Sequence, residues 1–367
     1  MIIFIFLSGK QIVFDISKKY KNFYCEYFYH IKAYVLDETQ YCYCTLTCNT
    51  SKIKDIEKIN DYETKEINVT IKNIYNYKLR NWIDIDKLDW SRLSSIPNAI
   101  QLLVENKEKI KWNILSGNLC AIHVLEKNKE KIDWDYLSEN PNAIHLLEEN
   151  KKKIHWDFLS KNPNAMYLLK ENINKIYWFY LSENPNAIHL LEKNKEKIHW
   201  DFLSKNPNAI HLLKERKEKI NWKWLSANPN AIYLLEENEE KINWSFLSLN
   251  PNAIHLLKKN LNEINWSHLS ENRNAIKILK KNKNKINWDN LSLNPNAIYL
   301  LKTNEEKIGW NFLSVNRNAI QLLKENKEKI SWKYLSENPK AIHLLQENEE
   351  KIDWYLLSEN PSIFEEE

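Results

Sequence analysis

An all-α solenoid of 22-residue two-helix repeats, preceded by a small α+β domain, is the fold class this sequence predicts, on three observations. Tryptophan returns at 90, 112, 134, 156, 178, 200, 222, 244, 266, 288, 310, 332 and 354, a constant step of 22 over thirteen copies with no insertion or deletion. Most copies carry Asn-Pro-Asn-Ala, a helix-start signal, followed by apolar residues at helical spacing. Residues 1–80 lack the period and read as short strand-like runs.

The repeat is W-x-x-L-S-x-N-P-N-A-I-x-L-L-x-x-N-x-x-K-I-x, with Trp at the first place. Leu and Ser hold the fourth and fifth places in all thirteen copies. In the copy from Asn140 to Asn150, Asn140 is an N-cap, accepting from a free N–H of the first turn. Pro141 follows at the first helical position, where its missing N–H is tolerated. Ala143, Ile144 and Leu147 then form the apolar face of a helix B of about ten residues, roughly 15 Å long. Asn150 is expected to end it in a left-handed conformation, since glycine is nearly absent from the chain. Lys151 to Ile154 is a linker, and Trp156 with Leu159 share one face of a short helix A.

A 22-residue period also suits leucine-rich repeats, but those need L-x-x-L-x-L-x-x-N around a strand. Here the Leu pair is adjacent and follows a helix start. One two-helix repeat is too small to close a core, so stability comes from stacking neighbours. The expected core is the tryptophan series Trp112, Trp134, Trp156, Trp178, Trp200, Trp222, Trp244, Trp266, Trp288, Trp310 and Trp332 with the Leu and Ile places. Trp224, where other copies carry Phe or Tyr, is expected to be only partly covered.

The string LSENPNAIHLLEENKKKIHW and its copies resemble the N-P-N-A-I repeat proteins encoded in large numbers by giant DNA viruses of the mimivirus type. The stretch NWIDIDKLDWSRLS, residues 81 to 94, is similar to the lead-in of such arrays, and the resemblance covers residues 81 to 361. It implies an α-helical repeat fold and assigns no activity. Departures are local. Leu119, Arg273 and Arg317 replace Pro, Arg216 replaces the terminal Asn, and Ile96 replaces the capping Asn.

Two domains follow, residues 1–80 and 81–367. In the first, Ile2 to Leu7 and Gln11 to Ile16 form a hairpin around Ser8-Gly9-Lys10. A helix is expected from Lys18 to His30, then strands at Ile31 to Leu36, Gln40 to Thr47 and Glu66 to Ile71. The opening MIIFIFLSGKQIVFDI is similar to the first hairpin of ubiquitin-like domains. The sequence has no terminal Gly-Gly, so conjugation is not implied. The plainer reading is a cap over one end of the solenoid. At the other end, Pro361 is expected to start a last helix B, and Glu365 to Glu367 to solubilise an uncovered face.

Charge is balanced, 53 basic against 49 acidic residues, which gives no net field to draw in nucleic acid or anionic lipid. The longest apolar run, Ile2 to Leu7, is too short for a membrane span or a signal core. The N-x-S/T matches at Asn49, Asn68, Asn243 and Asn265 are then incidental. Five cysteines, four of them before residue 50, read as reduced thiols in a cytoplasmic protein, host cytoplasm if viral. Cys42, Cys44 and Cys48 with Cys25 and His30 could make a zinc cluster. However, C-x-C-x3-C is not a usual knuckle, and alternate Cys on a strand fill a core. No metal, cofactor or small-molecule substrate is expected, and no phosphate loop or nucleophile motif is present.

The candidate binding strip is the twelfth place of the repeat. It holds His123, His145, Tyr167, His189, His211, Tyr233, His255, Tyr299 and His343. Side chains repeated at one place make a row about 10 Å apart rather than a converging site, which excludes catalysis there. The expected function is a non-catalytic scaffold that binds a host or viral protein partner. The alternative is a helical-repeat reader of single-stranded RNA, which would need side chains varying together over a basic groove. A third class is an enzyme with its site in the N-terminal domain, and the competing account of the strip itself is a solvated face.

Overall fold

The computed structural model describes strands at Ile2–Leu7 (β1), Lys10–Asp15 (β2), Tyr43–Cys48 (β3), Ser51–Lys52 (β4) and Ile67–Lys72 (β5), and the continuous stretch 77–366. The chain divides into two compact bodies. One comprises Met1–Arg80, Trp90–Tyr177 and Phe364–Glu367, the other Asn81–Asp89 and Trp178–Ile363.

In the first body the sheet order is β2-β1-β5-β3-β4. β1 and β2 form the expected antiparallel hairpin, Ile2 opposite Asp15 through Leu7 opposite Lys10. β1 runs parallel to β5, and β5 antiparallel to β3. The expected helix at 18–30 and strand at 31–36 lie outside the described residues. Four repeats follow, and a short ribbon packs on the first of them. Tyr77–Leu79 (β6) pairs antiparallel with Phe364–Glu366 (β7) and lies against Pro97–Glu105.

This ribbon corrects two expectations. Pro361 opens only a 3-10 turn, Pro361–Ile363, after which the chain extends as a strand. Glu365 and Glu366 do not solubilise an uncovered face. Glu365 pairs with Arg80 at 2.8 Å, and Glu366 accepts from the Tyr77 hydroxyl at 2.8 Å. The reason lies in composition. Phe364 is buried, and the strand places it inward while its acids meet cationic and hydroxyl partners.

A repeat holds a helix A (Trp134–Glu139, for example), a helix B (Ile144–Glu149) and a 3-10 turn (Lys151–Lys153), the last replaced by a plain turn at 261–263. The fourth-place Leu, tenth-place Ala and fourteenth-place Leu are fully buried in copy after copy. Helix B has six residues here rather than about ten, because Pro141 and Asn142 form a separate turn before it, and Asn140 caps that turn. Its Oδ1 accepts from Asn142 N at 3.0 Å, closing a turn over Pro141. Its Nδ2 reaches back to the preceding repeat, donating to Ser116 O and Asn118 O at 3.1 Å each. Asn162 does the same to Ser138 O and Asn140 O. In the second body the same rail runs from Asn206 through Asn360. Nor is Asn150 left-handed. Its φ is −124°, and its side chain donates to Leu146 O four residues back at 2.9 Å.

The invariant serine has an equally specific job. Ser116 Oγ donates to Trp112 O at 2.7 Å and accepts from Asp133 N, seventeen residues on, at 3.0 Å. One hydroxyl therefore closes a helix and anchors the next repeat. A third rail runs through the ninth-place Asn, as Asn164 Nδ2 donates to Pro141 O at 2.9 Å. Buried polar groups are costly unless paired, and here the pairing itself is what registers one repeat on the next.

The last repeat of the second body is assembled from two separate pieces of sequence. Trp354–Ile363 supplies its first ten places. Asp84–Asp89 keeps the phase of the array, since Asp84 stands 22 residues before Asn106, and supplies its last six. Ile85–Lys87 forms the 3-10 turn. Lys87 lies over the Trp354 ring at 4.9 Å, as Lys109 does over Trp90 at 4.6 Å. Asp89 N donates to Ser358 Oγ at 2.8 Å, the bond made elsewhere by the residue seventeen places after the serine.

The repeat tryptophans are half-buried rather than core residues, a correction that holds from Trp112 to Trp332. Each stands at the start of helix A with one ring face toward the repeat. In twelve of the thirteen copies the other is covered by the twentieth-place lysine, at 4.6 to 5.9 Å. The core proper is Leu, Ile and Ala. Trp224 is partly covered, as expected. Cys120 is disulfide-bonded, which corrects the expectation of reduced thiols for that residue.

Candidate interaction surface

Helix B places its twelfth residue beside the buried Leu pair, so the predicted strip lies along the helix flank. In the first body it is only partly open. Burial, with Lys127 nearby, pushes the His123 imidazole down to about 4, so it is neutral near pH 7. His145 Nε2 lies 2.6 Å from Glu126 Oε1, and its side chain is 10% exposed. The Tyr167 hydroxyl donates to Glu171 Oε1 at 2.7 Å, a bond that pushes its ionisation up to about 12 and lowers that of Glu171.

In the second body the strip is open to solvent. His189, His211, His255 and His343 are exposed, Tyr233 is 63% exposed and Tyr299 73%. Several tips meet the fifteenth-place side chain of the preceding repeat. His211 Nε2 lies 2.9 Å from Glu192, and His255 Nε2 2.5 Å from Glu236. Where that neighbour is lysine, the strip residue can be tyrosine. Lys214 sits over the Tyr233 ring at 4.6 Å and Lys280 over Tyr299 at 5.7 Å. The strip thus matches its neighbours in charge while keeping its ring surfaces outward.

A second row, on helix A, emerges from the structure. The third place is aromatic in Tyr136, Phe158, Tyr180, Phe202, Trp224, Phe246, Phe312 and Tyr334. In the second body Trp224 stands edge-on to Phe246 of the next repeat at 5.3 Å, and Phe202 lies 3.8 Å from Phe179, a second-place ring of the preceding repeat. Lys205 lies over both Phe202 and Trp224, at 4.4 and 4.3 Å. The signal in the sequence was the aromatic content of that place, hidden because Arg92, Ile114, His268 and Asn290 interrupt it.

Among the described residues no group of three or more His, Cys, Asp or Glu side chains converges to hold a metal ion. No described helix is long and apolar enough to cross a membrane. The zinc candidates Cys25, His30, Cys42, Cys44 and Cys48 have side chains outside the described residues.

Residues 195–355 match the family described as NosD, periplasmic copper-binding protein, over less than half of the chain. That stretch contains neither cysteine nor methionine, the soft ligands that select copper(I). No curated protein and no solved structure matches the chain.

Proposed function

We propose that this chain is a non-catalytic repeat scaffold that binds a protein partner along its exposed side-chain rows. One observation carries the reading. The places constant between repeats, Leu, Ser, Asn and Ala, are consumed inside the array, while places that vary, the third and twelfth, hold rings at the surface. Tyr, His and Trp combine an apolar body with a polar tip, the chemistry enriched in protein interfaces. The His and Tyr side chains of the strip stand one per repeat in a row, an arrangement that supports binding to an extended partner.

The N-P-N-A-I resemblance supports a giant-virus source, hence a host or viral partner met in the host cytoplasm. With Cys120 disulfide-bonded, that location rests on the resemblance alone. The sheet order β2-β1-β5-β3-β4, with β1 and β5 parallel, supports a ubiquitin-like N-terminal domain. A second reading, single-stranded RNA, is favoured by the lysine-flanked ring row at Phe202 and Trp224.

The test compares two triple variants, His189/His211/Tyr233→Ala and Phe202/Trp224/Phe246→Ala, in capture from host cells with and without nuclease. The scaffold reading expects the same proteins with and without nuclease, and their loss in one triple that still folds. Capture abolished by nuclease would favour RNA. Unchanged capture by both folded triples would refute the assignment to these rows.

A further inference from the structure

The twentieth place of the repeat is lysine in every copy but one, where Glu263 stands. In the twelve lysine copies the ammonium lies over the ring of its own repeat's tryptophan. The thirteenth tryptophan, Trp244, has no ammonium of the described chain over it. Its neighbours in the row are engaged elsewhere, Lys241 over Trp222 at 5.1 Å and Lys285 over Trp266 at 4.9 Å.

The chain turns at the same place there, although 261–263 is a plain turn where the other copies have a 3-10 turn. Glu263 N donates to Asn260 O at 3.1 Å, as Lys285 N does to Asn282 O at 2.9 Å, and Ile264 is buried like the other twenty-first-place isoleucines. The carboxylate therefore departs from the same backbone place as the lysines. Among the described residues Glu263 makes no ion pair. A carboxylate beside the negative face of an indole is a poor match for that ring and a good match for a cation lying between them. Leu261, exposed two residues earlier where most copies carry a charged side chain, adds an apolar flank suited to an alkyl stem.

We infer that Trp244 and Glu263 form a receptor for a cationic side chain, an ammonium or guanidinium, presented by a protein partner. The partner's cation takes over the ring that lysine covers in the other copies, and Glu263 supplies the counter-charge that no other copy has. The inference rests on the scaffold reading and names the chemistry its partner must offer at one defined repeat.

The probes are trimethyllysine amide, arginine amide and the neutral norleucine amide, titrated into the full chain while the Trp244 indole N–H is followed by NMR. The expected result is a saturable shift at Trp244 with both cations and none with norleucine. Glu263→Lys restores the residue of the other copies, so it keeps the fold, and it should weaken the cations at least about tenfold. Lys285→Glu should create a new response at Trp266. No saturable shift at Trp244, or an equal response from norleucine or from Glu263→Lys, would overturn the receptor. Loss of the probes in Glu263→Lys with partner capture unchanged would overturn the site as a partner contact and leave the scaffold reading standing.

Discussion

Replacing Asn228 by aspartate changes one NH2 group into an oxygen and probes the polar rail directly. Asn228 is buried, its Nδ2 donating to Ser204 O and Asn206 O at 3.1 Å and its Oδ1 accepting from Asn230 N at 3.1 Å. Asn228→Ala leaves Ser204 O and Asn230 N without these partners, while Asn206 O still accepts from Ala209 N. Two orphaned groups at about 1–3 kcal/mol each give a cost of about 3 kcal/mol. Aspartate keeps the bond from Asn230 but turns a carboxylate toward two carbonyl oxygens, so its pKa must rise on folding. At pH 7 the cost is then larger than for alanine, about 4–6 kcal/mol.

The sign of the pH effect follows. The folded variant holds a proton more tightly than the unfolded chain, so its stability deficit is greatest above the folded pKa. The deficit shrinks as pH falls through that value toward the unfolded value of about 3.9. Arrays open locally, so a single unfolding free energy is not well defined. Hydrogen exchange at Ala231 and Leu235 in the wild type and both variants, at about pH 7 and about pH 4.5, is the suitable measurement. A deficit below about 1 kcal/mol for the aspartate, or one that does not shrink on acidification, would refute the rail as the element that registers repeats.

Trp222→Ala should cost about 2–3 kcal/mol, less than the 3–5 typical of a fully buried aromatic, since Trp222 is half-buried with Lys241 over its ring. Local exchange in that repeat checks this, and a cost above about 4 would restore the tryptophans to the core. Phe364→Asp should open the ribbon, raising exchange at the Leu79 amide while Trp178–Ala227 stays protected; unchanged Leu79 protection would contradict the pairing. His123, with its ionisation lowered to about 4, binds fewer protons folded than unfolded. Protection of its repeat should therefore weaken as pH falls from about 6.5 toward about 4, and His123→Gln should abolish that dependence. A slope that persists in the glutamine variant would point to another group.

The period, the fold class of the repeats and the start of helix A were legible in the sequence because they are local. The Trp, Asn-Pro and Leu-Leu places lie within one helix turn or one repeat. The contacts that decide what each residue does were less visible, because they join residues 17, 22 or 24 apart, as Asp133 to Ser116, Asn140 to Asn118 and Asn140 to Ser116. Asn before Pro is legible as a cap through its Oδ1, and only the neighbouring repeat shows that its Nδ2 is also a rail. The constancy of Ser at the fifth place was the available clue to a polar job. Tryptophan misled by its size, since a regularly spaced lysine can cover a ring as another repeat would. The tail was read as helix because Pro361 continues the pattern, yet the sequence after Phe364 offers no helix B face.

The split repeat has a consequence in time. Asp84–Asp89 leaves the ribosome early, but Trp354–Ile363, the half it completes, comes some 265 residues later. At about 5–20 residues per second, the lead-in waits roughly 13–53 s for its other half. During that interval Lys87 has no Trp354 ring to cover, and Asp89 N has no Ser358 hydroxyl to meet. The body containing that repeat can be completed only once Trp354–Ile363 has been made, which makes its assembly a report on whether the repeats between the two pieces were made.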